Sequence, residues 1–165
     1  MPYIGGASLL QKYIQHLMSH FSQIKTLIRD RQALVKALTK LELEPKVYEQ
    51  PQALKGYYGE RGEYSAEIIV SGETMKTRAD MGFKWNAQTN VYDVIQDDYE
   101  TGRQLGRNFF THKLMRAYGN EVTHAKALEL SERLGECTIT ESSNGTVQTL
   151  RLTFAAHQTN QQTRR

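Results

Sequence analysis

Near its end the chain carries Asn144-Gly145 between two runs of alternating residues, a pairing that leaves little choice of local structure. Asn-Gly flanked by alternation is the strongest short-range hairpin signal, because both residues tolerate the positive φ of a tight turn. With Asn144 and Gly145 at the turn, Ile139 falls opposite Leu150 and Cys137 opposite Leu152. Thr140 then meets Thr149 and Thr138 meets Arg151 on the other face. One apolar and one polar face emerge, as a half-buried sheet requires.

Upstream, His20–Ile28 reads as a strand with Ser22, Ile24, Thr26 and Ile28 on one face and Phe21 and Leu27 on the other. Asp30 is placed to cap a helix reaching about Leu41, with Leu34, Leu38 and Leu41 as its core stripe. Pro45 marks the exit, and a short strand is expected over 44–49. Residues 55–64 (KGYYGERGEY) form a turn-rich ribbon punctuated by Gly56, Gly59 and Gly62. In the strand 63–70, Tyr64, Ala66, Ile68 and Val70 share a face. A polar loop over 71–79 leads to a hairpin with arms 80–85 and 91–97, and Met81, Phe83 and Trp85 share one face. Helices are expected over about 103–117 and 121–134. The second aligns Ala127, Leu130 and Leu134 and ends at Gly135. Together these elements predict an α+β fold, a mainly antiparallel sheet with helices on one face. Their order suggests two βαββ units: strand 20–28, helix 30–41 and strands 44–49 and 63–70, then strand 91–97, helices 103–134 and strands 136–142 and 146–154.

The chain of 165 residues is long enough for one domain, placed here at 18–154. Residues 1–17 read as an extension or arm and residues 155–165 as a polar disordered tail. Lys12, Arg164 and Arg165 account for the whole excess of 21 bases over 18 acids, so residues 18–154 carry no net charge. Duplex binders need a concentrated basic face, so nucleic acid is a poor expectation. Cys137 is the only cysteine, which fits a reducing compartment. No apolar run approaches the roughly 20 residues of a membrane span.

Several stretches carry a resemblance. MSHFSQIKTLIRDRQALVKAL from Met18, KGYYG at 55–59, DMGFKWN at 80–86 with VYDV at 91–94, and the terminal hairpin are similar to the hypothetical chloroplast open reading frame thirty-five family of cyanobacteria and plastids. The helical region 101–135 and the ending LRLTFAAH depart from that pattern. The resemblance implies an accessory protein of a photosynthetic cell, with no established activity, cofactor or catalytic residues. It also places the start at Met18. The leucine count of 16 against 8 isoleucines favours a cyanobacterial cytoplasm over an AT-rich plastid genome and its stroma.

Motifs for chemistry are sparse. His16 and His20 could share a metal only on a helix, and 20–28 reads as strand. Glu121 and His124 lack the second carboxylate–histidine pair of a di-metal site and read as a solvated helix face. Cys137 reads as a packed core thiol rather than a nucleophile. GYYGERG lacks both the P-loop lysine and the spacing for a dinucleotide. No cofactor and no metal are expected. The aromatics Tyr57, Tyr58 and Trp85, beside predicted turns, are the best candidates to anchor a partner. The acidic run Asp93, Asp97, Asp98 and Glu100, read as a solvated loop capping a helix, is followed by Arg103, Arg107, Lys113 and Arg116. Tyr57, Tyr58, Trp85, Asp97, Asp98, Arg103 and Arg107 are therefore the expected contact set for a protein partner. The alternatives are a single-stranded nucleic-acid binder using the tyrosines and Trp85, and a small-ligand binder or enzyme with an unrecognised site. Exposed strand edges make a homo-oligomer a further expectation.

Overall fold

The computed structural model describes residues 21–145 and 147–155. The extension, His16, His20 and most of the tail lie outside the described residues. The elements are β1 (Phe21–Ile24), α1 (Arg31–Lys40), β2 (Lys46–Lys55), β3 (Arg61–Val70), α2 (Gly72–Met75), β4 (Met81–Asn86) and β5 (Val91–Asp97). They continue with α3 (Asp98–Leu105), a π-helical turn (Phe109–Leu114), α4 (Met115–Leu134), β6 (Cys137–Asn144) and β7 (Val147–Phe154). The fold is α+β. A five-stranded antiparallel sheet has the order β1-β5-β4-β3-β2, and β6-β7 form a separate ribbon. The two βαββ halves are not equivalent: β1 pairs with β5 rather than within its own half, and β6 and β7 do not join the main sheet.

Helix α1 starts as its sequence dictates. The Asp30 carboxylate accepts from Ala33 N at 2.9 Å, and the Tyr118 hydroxyl accepts from Arg29 N and Asp30 N at 3.0 Å each. Leu34 and Leu38 are fully buried against Ile68, Phe83 and Val94 of the sheet. Burying such a side chain is worth about 1.5–3 kcal/mol. Helix α4 packs on α1, and Lys40 pairs with Glu121 across the two. Glu121 is thus buried, not part of a solvated face.

The departures from expectation have local causes. The first strand stops at Ile24 because a side chain replaces the ladder. Thr26 Oγ1 donates to Tyr92 O at 2.5 Å and accepts from Ile28 N at 2.9 Å. β2 runs on to Lys55, past Pro51, because the pairing with β3 shifts register between Val47 and Gln52. Proline, with no N–H to give, is accommodated in such an irregularity. Opposite it, β3 switches faces. Ile68 and Val70 face the helices, whereas Tyr64 and Ala66 pack with Ile69, Leu54, Phe21 and Ile95 on the other side. The four residues expected to share a face are split. The polar loop holds α2, capped by Ser71 Oγ at 3.2 Å from Thr74 N. Helix α3 begins at Asp98, ahead of the expected start at 103, and Gly119 does not interrupt α4.

The register shift turns the outer part of the β2–β3 hairpin back across the second face of the sheet. Tyr64 reaches Phe21 on the far edge strand, with ring centroids 5.2 Å apart. Leu54 and Ala66 lie directly over Gly82 of β4. Helices therefore cover one face and this arm the other, and every residue of β5 is buried.

The terminal hairpin forms two residues out of the expected register. Asn144 pairs with Val147, Ile139 with Leu152 and Cys137 with Phe154, and Gly145 takes φ +60° in the turn. A slip of two keeps every side chain on its face. Cys137 is half-buried beside α4 rather than a core thiol.

Candidate functional site

Tyr57 and Tyr58 sit at the tip of the folded-back arm, their rings edge-on at 5.0 Å. Asp80 moors that tip. Its carboxylate accepts from Lys55 N at 2.8 Å and Gly72 N at 2.9 Å, and its own N–H donates to Lys55 O at 2.8 Å. Mooring brings Arg78 over the Tyr57 ring, 4.8 Å from its centroid, a favourable cation–π position.

From there the contacts run into α3. Arg78 N donates to Glu100 Oε2 at 3.0 Å, and Arg103 lies 3.4 Å from Glu100 Oε1. Arg103 in turn stands 6.0 Å from the Tyr99 ring centroid. Glu100 is only 2% exposed, while Tyr58 is 59% and Tyr99 69% exposed. The result is a surface strip of Tyr58, Tyr57, Arg78, Arg103 and Tyr99, fixed from beneath by one buried carboxylate.

This strip joins part of the expected contact set and leaves part of it out. Tyr57, Tyr58 and Arg103 belong to it. Asp97 lies under it, 3% exposed, capping α3 by accepting from Glu100 N at 2.9 Å. Trp85 stands at the opposite end of β4, half-buried and edge-on to Tyr92 at 5.0 Å. The acidic run is not a solvated loop, since Asp93, Asp97 and Glu100 are buried and only Asp98 is exposed. Asp93 accepts from Gln23 Nε2 and Asn86 Nδ2 at 2.9 and 3.0 Å. Sequence reasoning missed Arg78 and Tyr99. The tyrosine between Asp98 and Glu100 at a helix start was visible as a signal, but nothing local marked Arg78.

Asp98 and Arg107 line a different feature, a cleft of about 200 Å³ between the end of β5, α3 and the π-helical turn. Gln96, Thr101, Phe109 and Phe110 complete its walls. A larger cleft of about 410 Å³ separates α4 from β7 and is lined by His112, Arg116, Asn120 and Gln148. Among the described residues no cluster of three or more His, Cys, Asp or Glu side chains is arranged to hold a metal ion. Nor is any helix among them long and apolar enough to cross a membrane.

The model of the family "Protein of unknown function (DUF1257)" matches residues 37–153. The chain belongs to this family. The DUF1257 match runs from the second half of α1 almost to the end of β7, so it takes in the whole strip, both clefts and the folded-back arm. No curated protein and no solved structure matches the chain.

Proposed function

We propose that this DUF1257 protein is a non-enzymatic accessory module that binds another protein through the Tyr58–Arg103 strip. The carrying observation is the buried Glu100 carboxylate, which holds the Arg78 backbone and the Arg103 guanidinium between two exposed tyrosines. Tyrosine and arginine dominate the energetic centres of protein interfaces. Side chains already fixed in place lose less freedom on binding. The resemblance of the Met18 segment and of residues 55–59 and 80–86 to the plastid and cyanobacterial family supports a role in a photosynthetic cell. Against single-stranded nucleic acid stand the neutral charge of residues 18–154 and the rings themselves. Tyr57 has Arg78 over its face and Tyr99 has Arg103 near its own, leaving less open surface for stacked bases.

The test is affinity capture from the native lysate with the full-length chain, nuclease-treated and untreated, beside Tyr58→Ala and Tyr99→Ala. A stoichiometric protein should survive nuclease and be lost from both variants, whose melting temperatures stay near that of the parent. Capture abolished by nuclease, or unchanged in both variants, rejects the proposal.

A further inference from the structure

The geometry points to a second docking surface, independent of the Tyr58–Arg103 strip: the free edge of β7 takes an extended acidic peptide as a third strand of the β6–β7 ribbon.

The register decides which backbone groups are free. Ala155 N donates to Glu136 O at 2.9 Å, and β6 pairs with β7 without a shift from Cys137–Phe154 to Asn144–Val147. Hydrogen-bonded pairs alternate along an antiparallel ladder. The odd-numbered residues of β7 therefore bond to β6, and Gln148, Leu150, Leu152 and Phe154 turn their N–H and C=O groups outward. Among the described residues no further strand pairs with them. The edges of the main sheet are blunted, since β1 has only 4 residues and β2 carries Pro51 and a register shift. β7 runs 8 residues without proline or bulge, the form of edge that recruits another strand.

The side chains of Gln148, Leu150, Leu152 and Phe154 lie on the half-buried face of the ribbon. Gln148 and Leu150 border the cleft of about 410 Å³, whose other wall is the π-helical turn and the Met115–Thr123 part of α4. β6 takes no part in it, so the cleft opens on the free side of β7, where a third strand would lie. Gly119 belongs to the helical wall. Its φ is not positive, and a Cβ added there would meet nothing within 4 Å. Glycine weakens a helix interior relative to alanine, and neither backbone conformation nor packing within the chain requires it here. A side chain of an added strand would occupy that space.

Charge selects the occupant. The Arg116 guanidinium lies 3.5 Å from Gly145 O, beside the turn where the free edge of β7 begins. It makes no ion pair among the described residues. No Asp or Glu lines the cleft, and Glu141, on the half-buried face of β6, is engaged by Gln148 Nε2. A carboxylate on the added strand matches Arg116. The β7 of a second copy, VQTLRLTF, brings no carboxylate, and residues 156–165 carry Arg164 and Arg165 and no acid.

The test uses purified full-length protein and capped octapeptides that alternate Val with Glu or Val with Lys. Amide exchange read by NMR should show Gln148, Leu150 and Leu152 gaining protection at millimolar Val–Glu peptide. The Val–Lys peptide should bind about tenfold or more weakly, and Arg116→Glu should reverse that preference. Gly119→Met should melt no lower than the parent, because its side chain enters open space, yet bind the Val–Glu peptide roughly tenfold more weakly. No protection, equal binding of the two peptides, an unchanged preference in Arg116→Glu, or undiminished binding by Gly119→Met would each overturn the assignment. So would protection of the same amides in the protein alone, which marks the edge as already taken. Residues 156–165 would give that protection at every protein concentration, a second copy only at high concentration. No lysate partner is present, so the result is independent of the strip.

Discussion

Replacing Trp85 with alanine removes a ring that is half-buried on the helix-covered face and packed edge-on to Tyr92. We expect a loss of about 2–3 kcal/mol, less than for a fully buried aromatic, read as a lower urea midpoint with an unchanged slope. Tyr58→Ala should be nearly neutral in the same assay, because that ring is largely in water. Tyr92 carries a pH signature. Burial, chiefly, raises its hydroxyl above the ordinary phenol value; Glu67 and Asp30 add to the rise and Arg31 opposes it. A raised acid favours the folded state only while protonated, so this contribution is complete below about pH 10 and lost above it. The stability of the parent should therefore fall more steeply than that of Tyr92→Phe in alkaline melts, and the two curves should run parallel at neutral pH. Alternation puts Trp85 on one face with Met81 and Phe83, which the structure shows to be the helix-covered one, whereas its place beside a predicted turn had made it an expected partner contact. What alternation could not show was that Trp85 and the tip tyrosines lie at opposite ends of the sheet.

Period and capping chemistry carried most elements through. The Asp30 cap, the Leu34 and Leu38 stripe, the β4–β5 hairpin and the Gly135 stop all follow from local residue choice. Elements went astray where a tertiary contact replaced a local rule, as with Thr26 standing in for a ladder bond or Pro51 held in a register shift. The terminal hairpin had two registers with identical faces, and alternation alone does not separate them. The strip was legible by halves. Turn glycines pointed to Tyr57 and Tyr58, but Arg78 lies over Tyr57 only because Asp80 moors the arm. Asp80→Ala removes the acceptor of two backbone N–H groups, one of them buried. It should cost about 2–4 kcal/mol and speed amide exchange over residues 55–62, with α1 unaffected.

At the scale of the molecule, the arm and the helices clamp the sheet from both sides, and Gly82 is where the arm crosses. A Cβ built there would lie 2.7 Å from Ala66 Cβ and from Leu54 Cδ1. Gly82→Ala should therefore overpack the second core and cost about 1–3 kcal/mol. Leu54→Ala opens space at the same point, so the double variant should be more stable than the two single losses added together, a coupling that unfolding measurements on the four proteins resolve.

The Tyr118 hydroxyl that receives Arg29 N and Asp30 N comes from 88 residues beyond Asp30, and edge strand β1 waits for β5 to offer it a partner. On the ribosome, at roughly 5–20 residues per second, the front of the chain thus spends about 4–18 seconds without the groups that complete it. During that interval α1 has no α4 to pack on, and β1 has no neighbour until β5 emerges. The first strand and helix are thus completed from the middle of the chain, by residues 91–118.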